Sequence, residues 1–336
     1  MEITRSSSSS LRLADIKTRT ARVDGTASSS LWDMGHGVAL FEIHTYLNLC
    51  DEAVLDLLMR VPEKMSQAFR ALVVGSEDPR AFSAGASLAV FIEYIESGRW
   101  DAISRFLKRG HESLLALRYG KFPVVAAVHG LALGGGCELM LHADLVVAHT
   151  EIRTGFPERW TGIIPGWGGA TQMLRRWQAQ LADPIEAADR TFDVIAHAQI
   201  LNSEAARRTG ILAMHDEIID DRAGLLATAK QRALQLAANY SPPPAASLLA
   251  IGDSHLPHYH AVCAKLEREI PLAAAEAAAC RSLATIVCGG TAKPGSALSE
   301  QDILRLEHDR FLETVRDPEV LARMHALRDT GKRPGC

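Results

Sequence analysis

A chain of 336 residues, 47% apolar and 23% charged, is long enough to bury a substantial core, which argues against a disordered or fibrous protein. Its 36 Lys and Arg stand against 40 Asp and Glu, a formal charge of −4, and no basic run is present to neutralise a row of phosphates, so a nucleic-acid partner is not expected. Apolar stretches such as residues 131–133 fall well short of the ~20 residues of a membrane span, and Cys50, Cys137, Cys263, Cys280, Cys288 and Cys336 show no C-x-x-C spacing, so a cytoplasmic protein without membrane contact, disulfide framework or zinc cage is expected.

Residues 1–30 are Ser-rich with several Arg, yet Glu2, Asp15 and Asp24 are acidic and no apolar signal segment follows. They read as a disordered or linker-like leader. Over residues 31–244, β-rich runs alternate with helical patterns: a strand at 38–43, a helix from Asp51, a strand at 71–75, helices across 87–118 and a strand at 124–128. This alternation predicts an α/β layer fold. Asp51 stands ahead of Val54, Leu55, Leu57 and Leu58 and reads as an N-cap, while Pro62 is expected to kink or split that helix. Ser241-Pro242-Pro243-Pro244 cannot continue a helix and marks a boundary. Residues 245–336 then read as a helical C-terminal region, Ala-rich over 272–287 and amphipathic over 300–327.

Candidate chemistry concentrates in three strings. The first, Arg80-Ala81-Phe82-Ser83-Ala84-Gly85-Ala86-Ser87, follows the strand at 71–75. Its small residues let backbone approach a ligand closely. With Ser87 capping the next helix, the Ala86 amide lies at the positive helix end and can donate to a developing negative oxygen. Taken alone, the string reads first as an ordinary strand-to-helix loop. The second string runs from Phe122 through Val128 and Leu133 to Gly134-Gly135-Gly136-Cys137-Glu138-Leu139. A buried strand here ends in three glycines ahead of an amphipathic helix, so bare N–H groups point outward and Glu138 falls in the first helical turn. Neither G-x-G-x-x-G nor G-x-x-x-x-G-K-[ST] fits the glycine run, which argues against a phosphate cradle.

The third string, Gly155-Phe156-Pro157-Glu158-Arg159-Trp160-Thr161-Gly162-Ile163-Ile164-Pro165-Gly166-Trp167-Gly168-Gly169, makes a long shaped loop that enters a helix at about residue 170. Glu138 and Glu158 lie on different elements. Two carboxylates near a glycine amide suit the addition of water, although each Glu by itself reads as a cap or an ion-pair partner.

In this order and spacing the strings resemble the crotonase family, the enoyl-CoA hydratase/isomerase superfamily, whose signature joins a Phe-Ser-Ala-Gly-Ala loop, an Ala-Leu-Gly-Gly-Gly-Cys-Glu-Leu turn, and Pro-Glu followed by Gly-x-Ile-Pro-Gly-x-Gly-Gly. The resemblance extends from about Trp32 to the C-terminus. Gly37-Val38-Ala39-Leu40-Phe41-Glu42-Ile43-His44, Leu306-Glu307-His308-Asp309-Arg310-Phe311 and Thr330-Gly331-Lys332 are similar to the hydratase part of fused 3-hydroxyacyl-CoA dehydrogenase/enoyl-CoA hydratase proteins.

The resemblance implies an α/β crotonase (ClpP-like) fold of repeated β-β-α units with C-terminal helices that pack in trimers. It implies a thioester carbonyl held by the amides of Ala86 and Gly135. Glu138 falls on the family's base toward water and Glu158 on the group that delivers a proton to Cα. Ser83, Ala84, Ser87, Leu88, Gly134, Pro157 and Trp167 are expected against the substrate. The implied partners are an acyl-CoA thioester and further copies of the chain, as a homotrimer or dimer of trimers. Coenzyme A enters as part of the substrate, so no cofactor and no metal are expected. No G-x-G-x-x-G stands in the chain, which predicts no nicotinamide site and a separate 3-hydroxyacyl-CoA dehydrogenase as partner.

Three departures from the family pattern stand out. Ser87 replaces the usual Asp or Asn and is expected to cap comparably. Ala170 reads as one extra residue before Thr171-Gln172. Arg159, Trp160 and Trp167 are bulky beside the second Glu and are expected to narrow or cap the acyl pocket. Elsewhere, His255, His258 and His260 crowd together without a carboxylate motif, so a metal site is not expected. Cys137 reads as a small packing residue, and Ser83 lacks a nucleophile elbow. The sequence therefore points to an enoyl-CoA hydratase that converts trans-2-enoyl-CoA to 3-hydroxyacyl-CoA in β-oxidation or a related route. An isomerase or hydrolase on the same scaffold, or a non-catalytic acyl-CoA-binding subunit, are the alternatives.

Overall fold

The computed structural model of the chain describes residues 11–335. It opens with helix α1 (Leu13–Arg19), strands β1 (Arg22–Gly25), β2 (Ser29–Gly35) and β3 (Val38–Ile43), and helix α2 (Glu52–Ala68). Three β-β-α turns follow. The first comprises β4 (Ala71–Val74), β5 (Ala81–Ser83), α3 (Leu88–Glu96) and α4 (Trp100–Arg118), and the second β6 (Val124–Val128), β7 (Leu131–Leu133) and α5 (Gly135–Leu141). The third comprises β8 (Leu145–His149), β9 (Arg153–Gly155), a 3-10 turn (Pro157–Thr161) and α6 (Gly169–Gln178). Then come α7 (Pro184–Ala196), α8 (Ser203–Arg208), β10 (Glu217–Ile219), α9 (Leu225–Ala237), β11 (Ser247–Leu249), α10 (Leu256–Glu269), α11 (Ala274–Cys288), β12 (Ala297–Ser299), α12 (Glu300–Thr314) and α13 (Pro318–Thr330).

The first strand of each turn joins a seven-stranded sheet in the order β1-β2-β3-β4-β6-β8-β10, and the second joins a three-stranded sheet in the order β5-β7-β9. From β3 onward both sheets are parallel, as helical crossovers require. β4, β6 and β8 are buried throughout, which is why these strands read as unbroken apolar runs. Alternate residues serve two cores. Leu72, Val74, Val124, Ala126, Val146 and Ala148 face the main one. Ala71, Val73, Val125, Ala127 and Val147 face a smaller one closed by Leu225, Leu226, Ala229 and Ala233 of α9.

The expected strands at 38–43 and 124–128 are present with those bounds, and the helices expected across 87–118 are α3 and α4, separated at Ser97–Arg99. The C-terminal region is helical apart from the antiparallel pairing of β11 with β12. Ile303, Phe311, Cys280 and Met324 of its helices lie in the same main core as the β-β-α turns. Asp51 caps α2 through the Val54 amide at 2.9 Å.

Two expectations are corrected. Pro62 neither splits nor ends α2, which continues to Ala68. Its buried stripe of Val54, Leu55, Leu57, Leu58, Val61 and Met65 outweighs the single hydrogen bond that proline forgoes. The leader expected over 1–30 is not a leader from residue 11 on. Leu13 and Ile16 are buried in the smaller core, Lys17 pairs with Glu42 at 2.6 Å, and Ser29 and Ser30 pair with Ile43 and Glu42 of β3. Serine-rich composition masks this strand because its hydroxyls find partners elsewhere in the chain: Ser28 donates to Asp51 at 2.5 Å, and Ser30 meets His44 at 3.1 Å. Residues 1–10 lie outside the described residues. Leu13→Ala is expected to cost about 2–5 kcal/mol, as for other buried Leu truncations, in equilibrium denaturant unfolding. An unchanged midpoint would mean that α1 adds nothing to the core.

Candidate active site

The three strings follow β5, β7 and β9, neighbouring strands of one parallel sheet, so all three begin at the same sheet end. After β5 the chain passes through Gly85 at φ +96°. A Cβ there would lie 2.6 Å from the Leu133 carbonyl and 3.0 Å from the Gly135 nitrogen, so only glycine admits this approach. Conversely, a Cβ on Gly135 would lie 3.1 Å from the Ala86 nitrogen. The two amides are therefore neighbours. Cys50 donates to the Gly85 carbonyl and accepts from the Ser87 amide, a pairing that leaves the Ala86 N–H out. Gly135 is the first residue of α5, where an N–H has no intrahelical acceptor.

Ser87 occupies the N-cap position of α3 without a side-chain capping bond, contrary to expectation. Ser83 is buried; its hydroxyl donates to the Asn48 carbonyl at 2.8 Å and accepts from Gly85 at 3.2 Å. These bonds hold the loop. Ala84 donates to the Leu47 carbonyl, and Leu88 packs on the main core.

Glu138 stands in the first turn of α5 and is 2% exposed. Its Oε1 accepts from the Trp167 amide at 2.7 Å and the Gly169 amide at 2.8 Å. Burial raises its pKa above the ordinary glutamate value against those two amides. Glu158 lies in the 3-10 turn that Pro157 begins. Both its carboxylate oxygens are buried with no hydrogen-bond partner among the described residues. A Cβ on Gly134, which sits at φ +51°, would lie 3.2 Å from its Oε1, so the glycine turn and this carboxylate touch. Burial first, then the Glu138 and Glu307 charges, push the Glu158 pKa well above the ordinary value.

Of the bulky residues beside Glu158, Trp167 lies against the glycine turn. Its ring lies against Gly135 and Gly110 and meets Phe106 edge-on with centroids 5.4 Å apart. Arg159 instead turns to Glu276 of α11 at 3.0 Å, and the Trp160 carbonyl accepts from Arg323. Arg159 therefore does not narrow the pocket. Ala170 is fully buried in the first turn of α6.

A third carboxylate went unassigned in the sequence reading. Glu307 of α12 is fully buried. It accepts from the Gly168 amide at 3.1 Å and from both the amide, at 2.6 Å, and the hydroxyl of Thr171. Burial pushes its pKa up to about 8, with the Glu138 charge adding to the rise and the Thr171 and Gly168 bonds opposing it. One signal was available: Glu307 falls on the helical stripe of Ile303, Leu304 and Phe311, where an unpaired charge is out of place.

The family model for enoyl-CoA hydratase/isomerase matches residues 35–239, more than half of the chain. A probable 3-hydroxyacyl-CoA dehydrogenase of Bacillus subtilis is 27% identical over 324 residues, 96% of this chain and 41% of that protein. The chain thus spans well under half of that relative. Among solved structures, DspI of Pseudomonas aeruginosa is 26% identical with a TM-score of 0.55 over 65% of this chain and 83% of that one. An enoyl-CoA hydratase from Bacillus halodurans has a TM-score of 0.63 at 16% identity, covering 90% of this chain and 100% of that one, and shares the fold. With two neighbouring backbone amides beside buried glutamates on stacked β-β-α turns, the chain has a crotonase fold and belongs to the enoyl-CoA hydratase/isomerase family.

Proposed function

We propose that this chain hydrates trans-2-enoyl-CoA thioesters to 3-hydroxyacyl-CoA. One observation carries the reading: Glu138 and Glu158, both buried and both shifted upward, stand beside the adjacent amides of Ala86 and Gly135. The thioester oxygen accepts from the two amides, which draws electron density from the Cα=Cβ bond and stabilises the enolate oxygen. Water attacks Cβ and loses a proton to Glu138, while Glu158 delivers its proton to Cα. The catalytic pair ends with its proton moved from Glu158 to Glu138, and exchange with solvent resets it.

The surroundings of the two carboxyls support this division of labour. Glu138 has one oxygen held by two amides, which favours the ionised form that a base needs. Glu158 has no donor at either oxygen and faces two other carboxylates, which favours the protonated form that an acid needs. The product, a 3-hydroxyacyl-CoA, is the substrate class of the activity named for the Bacillus subtilis relative.

The direct test is loss of enoyl-thioester absorbance with crotonyl-CoA and a longer 2-enoyl-CoA, with thiol release followed in parallel. Loss without thiol is expected. Thiol release would mark a hydrolase, and flat absorbance with retained acyl-CoA binding would overturn the reading. Glu138→Gln is expected to lower kcat for hydration by about 10²–10⁴ and to spare some double-bond isomerisation, whereas Glu158→Gln removes both.

The pH profile of kcat/KM is expected to be a bell. Its acid limb reports ionisation of the base and lies well above pH 4.5, because the folded site disfavours the charged form. Its alkaline limb reports loss of the Glu158 proton. An acid limb at the ordinary glutamate value would show that the base is not this buried carboxyl.

A further inference from the structure

The turn from Gly166 to Thr171 donates its amides to two carboxylates in alternation. Trp167 and Gly169 donate to Glu138, while Gly168 and Thr171 donate to Glu307 from the opposite side. Thr171 adds its hydroxyl to Glu307. Every one of these atoms is buried, so neither carboxylate can exchange a turn amide for solvent. Moving Glu307 away would release Gly168, which sits between the two donors that orient Glu138, and Thr171, two residues beyond them. The donors to Glu138 are the Trp167 and Gly169 amides, and those to Glu307 are the Gly168 and Thr171 amides and the Thr171 hydroxyl. The amides of one turn are what both have in common.

We propose that Glu307 is a positioning residue for the reaction: by gripping Gly168 and Thr171 from α12 it fixes the turn whose remaining amides aim Glu138 at its substrate. The inference deepens the hydratase reading and rests on it for its kinetic consequences, but the coupling itself is a property of the resting protein. Glu307 touches neither carbonyl-binding amide. It acts through the turn and through its charge, which faces Glu138 and Glu158. Other titratable groups around the turn are His142, the C-cap of α5, which donates Nδ1–H to the Glu138 carbonyl at 2.7 Å, and His111 on α4, which faces the Gly166 carbonyl. Burial lowers both histidine pKa values, to about 3 for His142 and about 4 for His111, so both are neutral where the carboxyls titrate.

The experiment compares the full chain with Glu307→Gln, Thr171→Val and Thr171→Ser by two readouts. Carbon-13 NMR of carboxyl-labelled glutamate, assigned with Glu138→Gln and Glu158→Gln, follows the titration of the pair without any substrate. Glu307→Gln replaces the acceptor facing Gly168 or Thr171 with an NH₂ donor and removes a charge. Glu158, whose ionisation the Glu307 charge opposes, is expected to titrate lower. In crotonyl-CoA hydration the same variant is expected to lose about 10- to 100-fold in kcat with KM little changed. Thr171→Val is expected to lower kcat in the same way by a smaller factor, and Thr171→Ser to retain it. Should Glu307→Gln fail to fold, the Thr171 pair decides: equal kcat for Val and Ser overturns the proposal. An unmoved carboxyl titration in folded Glu307→Gln also overturns it. A wild-type chain that does not hydrate enoyl-CoA sinks the hydratase reading, while the NMR comparison still tests the coupling.

Discussion

Parallel pairing of β5, β7 and β9 is the constraint on which the rest of this structure depends. Each of these strands is only three residues long, and each ends at the same sheet edge because its turn repeats the preceding one. The loop after β5 therefore lies against the start of α5, and the 3-10 turn after β9 lies over the glycines of that same helix start. Glu138 and Glu158 are brought together by a repeat of backbone geometry rather than by any attraction between them. Their proximity is unfavourable, since two like charges in a buried site oppose each other's ionisation.

The fold treats its buried carboxylates in two ways, and the contrast sets the candidate site apart. Glu276 of α11 is 1% exposed and is met by Arg159, Arg323 and Arg333 at 3.0, 3.0 and 2.9 Å. That is a structural carboxylate, neutralised on several sides. Glu138 and Glu307 receive only backbone amides and a hydroxyl, and Glu158 receives no donor among the described residues. Amides orient a carboxylate without cancelling its charge, and a raised pKa is the consequence. A protein that needed these groups only for stability would be better served by the Glu276 arrangement or by apolar side chains. Perturbed carboxyls at the meeting point of three loops are what general acid-base chemistry near neutral pH requires.

Trp167 shows how one residue joins the fold to this chemistry. Its amide orients Glu138, while its ring packs on Gly135 and against Phe106, which in turn meets Phe91 and through it Phe311 of α12. The aromatic line thus links the site to the helix that carries Glu307. The C-terminal helices are part of the site's support as much as of the core.

Much of this was legible in the residues themselves. Unbroken apolar runs specify β3 and β6, the Pro-Glu and triple-glycine strings mark the two carboxylates, and the joint spacing of the strings indicates the family. Local pattern suffices there because strand burial and glycine geometry are set by neighbours in sequence. The misreadings have one origin. Serines 28–30 looked like part of a disordered leader because their partners, Asp51 and His44 among them, lie further along the chain. Pro62 looked like a break because the packing that holds α2 together is invisible in its own residues. Arg159 looked like a pocket residue because Glu276, 117 positions away, is what turns it aside. Glu307 had no assigned role because the turn it grips lies 136 positions away. The sequence determined which groups are candidates for the chemistry and which turns present them. Only the tertiary structure decided which carboxylates share a buried turn and which meet arginines, because a charge's state depends on what surrounds it in space.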